Sequence, residues 1–259
     1  MYPLVQIGPL RLSSGGLLLL VSIIVGGLFI VRVAQARGGA QLARQVDQCF
    51  YPVLIGAGIG ARLWYGLFNL DLYSRNPGMF IVLRVSDFAW PGALLGGLLA
   101  GYVWCRRNGF DELKLVDSAA LTLPAVQMIA SVGLLLSGEA FGVPTSLPWA
   151  VPLFGAMRHP TQIYFALAAL SSLIALWWLS RRLLPVGALF TFCLGLQGLT
   201  SLLVEALRAD SLVLPGGIRA AQVFGLALLL YTLTWAQRHS GLTGLMSAET
   251  SEPALQEQS

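Results

Sequence analysis

Charged side chains are scarce in this chain: they make up 11% of the residues, while apolar ones make up 56%. A soluble domain carries about 25% charged residues, so an ordinary water-soluble fold is argued against from the outset. The mean hydropathy of +0.73 points the same way. Long polar segments are missing too, which leaves no stretch able to form an independent soluble domain. Cysteine is limited to Cys49, Cys105 and Cys193, an odd number without CxxC spacing, so neither a disulfide framework nor a metal site is encoded. These read as small thiols in apolar surroundings. Basic blocks are absent as well: the net charge of +4 is spread over arginines that stand singly or in pairs between apolar runs. That pattern excludes a nucleic-acid footprint and marks membrane flanks. Arg11 precedes an apolar run that outlasts a signal peptide and is closed by no small-residue cleavage site, so a retained first helix is expected.

What is present is apolar length. A helix needs about 20 mostly apolar residues to cross the hydrocarbon, because each backbone amide must bond within the segment. Seven stretches qualify, near 14–34, 50–69, 87–105, 117–136, 161–180, 186–207 and 217–237. The expected fold is therefore all-α, a polytopic membrane protein with about seven transmembrane helices. Lys and Arg near the span ends place Arg32, Arg37, Arg44, Arg106, Arg107, Lys114, Arg181, Arg182 and Arg238 on one side, which the positive-inside rule makes cytoplasmic. The N-terminus is then outside and the C-terminus inside. The polar tail 240–259 has little to bury and is expected to be disordered.

On the outer side the longest connection, 137–160, holds four prolines and suits a small cap over a cavity between helices. Glycines gather in the second and third spans at Gly56, Gly58, Gly60, Gly92, Gly96, Gly97 and Gly101. Small residues four apart let helix backbones approach closely in lipid, so tight packing is the expected reason.

Ionisable residues at membrane depth cost a few kcal/mol and are functional candidates by default. Arg62, Glu139, Glu205 and Arg208 stand out. Glu205 and Arg208 are three apart on one helical face, where they can pair. A guanidinium at headgroup level suits a phosphodiester, which makes Arg62 and Arg208 candidates for lipid phosphate, with helix anchoring as the structural alternative. Arg158, His159, Pro160, Thr161 and Gln162 precede or open the fifth span, where free helix amides attract anions. His159 is a candidate general base.

Taken in order, several motifs resemble those of the bacterial prolipoprotein diacylglyceryl transferases: Ile7-Gly8-Pro9, Gly60-Ala61-Arg62-Leu63, the glycines from Gly92 to Gly96, Ser137-Gly138-Glu139-Ala140-Phe141-Gly142, Arg158-His159-Pro160-Thr161-Gln162-Ile163-Tyr164, and Val204-Glu205-Ala206-Leu207-Arg208. The likeness runs over nearly the whole membrane part, so residues 1–239 are expected to form one transmembrane domain ahead of the cytoplasmic tail. The resemblance implies transfer of a diacylglyceryl group from phosphatidylglycerol to the lipobox cysteine thiol of a prolipoprotein, in the bacterial inner membrane, with no metal or organic cofactor. It also implies His159, Glu139 and Glu205 as catalytic residues, and Arg62, Arg158, Arg208, Gly142 and Gln162 as lipid- or phosphate-binding ones. Membrane lipid, prolipoprotein signal peptides or other membrane subunits are the implied partners.

The chain departs from the family pattern at Ser14, where tyrosine is expected, at Pro91, where histidine is, at Ser131 and Ser201, where arginines are, and at Leu134, where asparagine is. These losses leave an alternative open: a catalytically degenerate member that binds lipid or serves as a subunit of a larger complex. A small-solute transporter is disfavoured, because the interior offers few paired charges.

Overall fold

The computed structural model describes residues 4–7, 10–75, 78 and 89–249. Strands β1 (Leu4–Ile7) and β2 (Leu10–Ser13) pair antiparallel and lead into α1 (Ser14–Phe68). Gly8 and Pro9 of the opening motif lie outside the described residues. At 55 residues, α1 is far too long for one crossing, since that length would span about 80 Å of a hydrocarbon layer about 30 Å thick. It is broken at Gly38 (φ −139°, ψ 16°) and Gly39 (φ 70°, ψ −167°), and the left-handed φ of Gly39 is one that glycine adopts without a Cβ penalty. The two arms fold back on each other: a Cβ at Gly27 on the first arm would stand 2.8 Å from the Phe50 ring on the second. What the sequence offers as two stretches is thus one bent element.

A short α2 (Leu70–Arg75) follows. The described part of the third stretch is α3 (Trp90–Asn108), which opens on Pro91 and closes on Arg106, Arg107 and a left-handed Gly109. Its mate is the second arm of α1. A Cβ on Gly60 would overlap the Gly92 carbonyl oxygen, and one on Gly96 the Gly56 carbonyl oxygen. Glycine is required there for space, as expected of helices that must associate without a hydrophobic drive.

Next come α4 (Glu112–Ser137), a loop with the hairpin β3 (Val151–Leu153) and β4 (Ala156–Arg158), α5 (Thr161–Leu179), α6 (Ala188–Val204), a 3-10 turn (Glu205–Leu207) and α7 (Ala220–Glu249). Among the described residues, five helices are long and apolar enough to cross a membrane: Ser14–Phe68, Glu112–Ser137, Thr161–Leu179, Ala188–Leu207 and Ala220–His239. The count is below the expected seven stretches because the first two are joined in α1, and because α3 is shortened in apolar length by its terminal arginines. The backbone of α7 runs to Glu249 and so includes 240–249 of the tail expected to be disordered, while 250–259 lie outside the described residues.

Two apolar clusters hold the bundle. One joins Ala34 and Leu42 on either side of the α1 bend with Cys49, Cys105 and Leu115, and the other joins Val33, Ala120, Leu121, Leu176, Leu189 and Cys193. All three cysteines are free and buried, and Cys49 Sγ and Cys105 Sγ approach to 3.6 Å. Leu28, Leu99, Trp177 and Leu203 remain largely exposed, as side chains facing lipid would be. Asp117, buried on α4, accepts from the backbone N–H of Gly187 (2.7 Å) and of Phe190 (2.9 Å), so it caps α6 from a neighbouring helix.

Candidate functional site

Helix α4 ends on Gly138, whose left-handed φ of 78° turns the chain so that its N–H bonds the Leu134 carbonyl. The loop then runs as an extended strip between two neighbours. Val143 N–H donates to Leu207 O (2.8 Å) and Ala209 N–H to Phe141 O (2.9 Å) on one edge; His159 N–H donates to Val143 O (3.1 Å) and Thr145 N–H to Met157 O (2.9 Å) on the other. Backbone pairing of this kind brings the ends of α4 and α6 and the start of α5 together. Gly142 lies at the crowded centre, where a Cβ would overlap the His159 carbonyl oxygen and stand 2.6 Å from the His159 Cβ. The hairpin beyond it turns at Phe154 (φ 51°) and Gly155 (φ 74°), and paired positive φ values match the twist of a two-residue hairpin.

The motif residues of α5 and the loop are tied to one another. Gln162 is almost fully buried and its Nε2 donates to the Glu139 carbonyl (2.7 Å), while the Thr161 hydroxyl donates to the Ala140 carbonyl. Helix α5 does start at Thr161, but its hydroxyl ties the loop down instead of capping the helix. Glu139 contributes that backbone carbonyl, and its side chain is exposed. His159 Nδ1 lies 3.3 Å from the Tyr164 hydroxyl, which also accepts from Trp149 Nε1 (2.8 Å). Arg158 donates through Nε to Leu153 O (3.1 Å) and through Nη1 to Gly142 O (3.2 Å), with its guanidinium 5.2 Å from the Phe141 ring centre.

Glu205 and Arg208 pair as their spacing predicts, at 2.6 Å, and Arg208 Nε also meets Asp210 at 3.0 Å. Burial alone would lower the Arg208 pKa, but the hydrogen bond to Asp210 and the charge of Glu205 outweigh it and raise the value above that of ordinary arginine. Two carboxylates therefore engage this guanidinium. Arg62 is carried on α1, buried, with its guanidinium 5.6 Å from the Tyr73 ring centre.

Of the positions where the resemblance expects other residues, Ser14 and Ser131 are buried and Pro91, Leu134 and Ser201 half-buried. Ser14 is buried at the start of α1, beside Gly15, whose added Cβ would stand 3.2 Å from Ser137. Pro91 occupies the first turn of α3, where its missing N–H has no cost. Gln197 Nε2 donates to Gln127 Oε1 at 2.6 Å, and Ser201 and Ser131 lie one turn further along the same faces of α6 and α4. Ser131 is buried, and Leu134 lies on the following turn. Ser201 donates to the Ala221 carbonyl at 2.8 Å, and a Cβ on Gly225 would come within 2.9 Å of the Ser201 Cβ. Helix α7 thus fills the space that a longer side chain at 201 would need.

Arg219 is a residue that the sequence offers only as one flank arginine among several. It immediately precedes α7 and donates to the carbonyls of Glu205 and Arg208 and, at 3.2 Å, to the Ser211 hydroxyl. Ser211 in turn donates to Glu205 Oε2 at 2.8 Å. Among the described residues no carboxylate pairs with Arg219 directly, and none pairs with Arg158. Arg158 stands out in the sequence by its motif, whereas only its position against the loop distinguishes Arg219 from ordinary flank arginines.

The family model described as prolipoprotein diacylglyceryl transferase matches residues 3–237. Among curated relatives, the phosphatidylglycerol–prolipoprotein diacylglyceryl transferase of Gloeobacter violaceus is 32% identical over 255 residues, covering 92% of this chain and 93% of that protein. The protein of the same name from Clostridioides difficile (strain 630) is 31% identical over 211 residues, 82% of this chain and 84% of its own. That of Staphylococcus aureus (strain MRSA252) is 29% identical over 241 residues, 88% and 85%. A match over nearly the full length, together with a loop that knits the 137–142, 158–164 and 204–208 motifs into one cluster, settles the grouping: the chain belongs to the prolipoprotein diacylglyceryl transferase family.

Proposed function

We propose that this protein transfers a diacylglyceryl group from phosphatidylglycerol to the thiol of a prolipoprotein cysteine. The observation that carries the reading is the near-full-length family match, and the clustering of His159, Arg158, Glu205, Arg208 and Arg219 around the 141–145 strip supports it. In the reaction the sulfur attacks the glyceryl carbon, a C–S bond forms, the C–O bond to phosphate breaks, and glycerol phosphate leaves with the bonding pair. The thiol proton passes to a base. His159 fills that role in the tautomer whose Nδ1–H donates to Tyr164, which leaves Nε2 as the acceptor. The departing phosphate needs positive charge held in place. Arg158 and Arg219 are suited to it because carboxylates do not neutralise them, whereas Arg208 is engaged by Glu205 and Asp210. This displacement calls for no metal or organic cofactor.

The same reading carries seven crossings, with each arm of α1 counted once and α3 as a further span. The 137–160 connection then lies on the outer face as a cap, the N-terminus is outside and the C-terminus cytoplasmic, in a bacterial inner membrane. Prolipoprotein signal peptides are the second substrate. Expression in a strain lacking its own transferase, with a radiolabelled lipid precursor, tests the proposal: a reporter lipoprotein becomes labelled. Folded protein in the membrane without labelling overturns it in favour of the degenerate, lipid-binding alternative that Ser131 and Ser201 suggest.

A further inference from the structure

At the far end of the helices from this cluster, the Gly38–Gly39 bend, the α3–α4 connection at Gly109 and the α5–α6 connection at Leu184 and Val186 border an open cavity of about 460 Å³. Helix α4, 26 residues long, separates the two places by its whole length, about 39 Å. The cavity wall carries Arg37, Gln41, Gln45, Asp111, Lys114 and Asp117.

A count of donors and acceptors decides what this wall can bind. Asp111 Oδ1 accepts from the backbone N–H of Leu113 (3.1 Å) and Lys114 (3.3 Å), and its Oδ2 faces Lys114 Nζ at 3.3 Å. Both oxygens of Asp117 are taken by the start of α6. The acids are therefore occupied by helix N-termini, whose dipoles also offset their charge. The remaining polar side chains all offer N–H donors, the two glutamines with an acceptor oxygen beside them. Among the described residues Arg37, Gln41 and Gln45 make no hydrogen bond or ion pair, and Lys114 keeps further N–H groups. Gln41 and Gln45 stand one turn apart on the same face of the second arm of α1.

Donor amides, a free guanidinium and an ammonium around a concave space suit an oxyanion with several acceptor atoms. The volume suits a headgroup more than a bare ion, and Leu184 and Val186 supply an apolar edge. We infer that this cavity binds a phosphate group, carried either by an anionic phospholipid of the adjoining leaflet or by free phosphate. It is a second phosphate site, separate from the one proposed for transfer.

The test uses the full-length protein in a neutral detergent. Short-chain phosphatidic acid and, separately, inorganic phosphate are titrated, bound copies are counted by native mass spectrometry, and Tm is followed. The wild type is expected to hold a copy of phosphatidic acid that the double variant R37Q/Q45L loses or binds at least about tenfold more weakly, the effect of removing one charge-assisted contact. The unliganded Tm of the variant should match the wild type, because neither side chain has a partner among the described residues. Competition by inorganic phosphate at the same copy supports the phosphate as the recognised group, and phosphate binding without any lipid copy assigns the site to free phosphate. Equal binding by wild type and variant, or binding of neither probe, overturns the inference. None of these readouts is transfer activity, so failure here leaves the proposed reaction standing, and the reverse.

Discussion

At the scale of single residues, charge neutralisation separates the arginines that the cluster brings together. Arg208 is held by Glu205 at 2.6 Å and by Asp210 at 3.0 Å, so most of its field is cancelled before any lipid arrives. Arg219 bonds carbonyls and a hydroxyl only, and its charge is available. The two should respond differently to glutamine. Arg219→Gln keeps an N–H donor for the Glu205 and Arg208 carbonyls but removes the charge, so transfer is expected to fall by about 10²-fold or more, the cost of one electrostatic donor, at unchanged membrane level. Arg208→Gln strands the buried Glu205 carboxylate and is expected to lower stability by roughly 2 kcal/mol or more. A labelling assay beside a thermal melt of each variant distinguishes them; an R219Q protein as active as the wild type excludes Arg219 from phosphate binding. The Glu205–Arg208 pair was legible in the sequence from its i, i+3 spacing. Arg219 was not, because its partners are backbone carbonyls of another connection, which no periodicity reports.

At the scale of elements, the glycines of α1 and α3 were legible for a physical reason: close helix approach in lipid leaves small residues four apart, and the backbones do meet at Gly56, Gly60, Gly92 and Gly96. A side chain there has nowhere to go. Gly92→Leu would drive carbon into the Gly60 carbonyl oxygen and the Trp64 Cβ, and backbone cannot yield as a flexible side chain does. The expected outcome is loss of monodisperse protein after detergent extraction, while Gly58→Ala, where an added Cβ meets nothing within 4 Å, should extract like the wild type. Equal behaviour of the two would show that the α1–α3 contact is not a determinant of the fold. The α1 bend was half legible. The linker between the two apolar stretches is polar yet helix-competent, so a loop and a bent continuous helix suit it equally until Gly39 is seen at positive φ. Asp117 was hidden for another reason: an acid six residues into a helical run signals nothing about the N-terminus of α6, 70 positions later, that it caps.

For the whole molecule, the proposed orientation in the membrane rests on the difference between its two ends. The bend at Gly38-Gly39 returns the chain, and α4 and α6 both run from the polar cavity toward the His159 cluster, so the ends are chemically distinct. Arg181 stacks on Trp177 at 3.7 Å and Arg182 on Trp178 at 4.6 Å at the cavity end of α5. Interfacial tryptophan with arginine beyond it is the signature of a membrane boundary on the positive side. The proposed seven crossings would put Ser146, in the connection with the hairpin, outside, and Leu183, fully exposed between α5 and α6, inside. Single cysteines at these positions report this directly, since the native Cys49, Cys105 and Cys193 are buried and should react slowly. In intact spheroplasts a membrane-impermeant maleimide is expected to label Ser146→Cys at once and Leu183→Cys only after permeabilisation. Labelling of both without permeabilisation would mean that α5 does not cross, and the reverse order would invert the protein. Inversion would also put the His159 cluster on the cytoplasmic side, away from a prolipoprotein cysteine presented at the outer face, so this one measurement constrains the proposed chemistry as well as the fold.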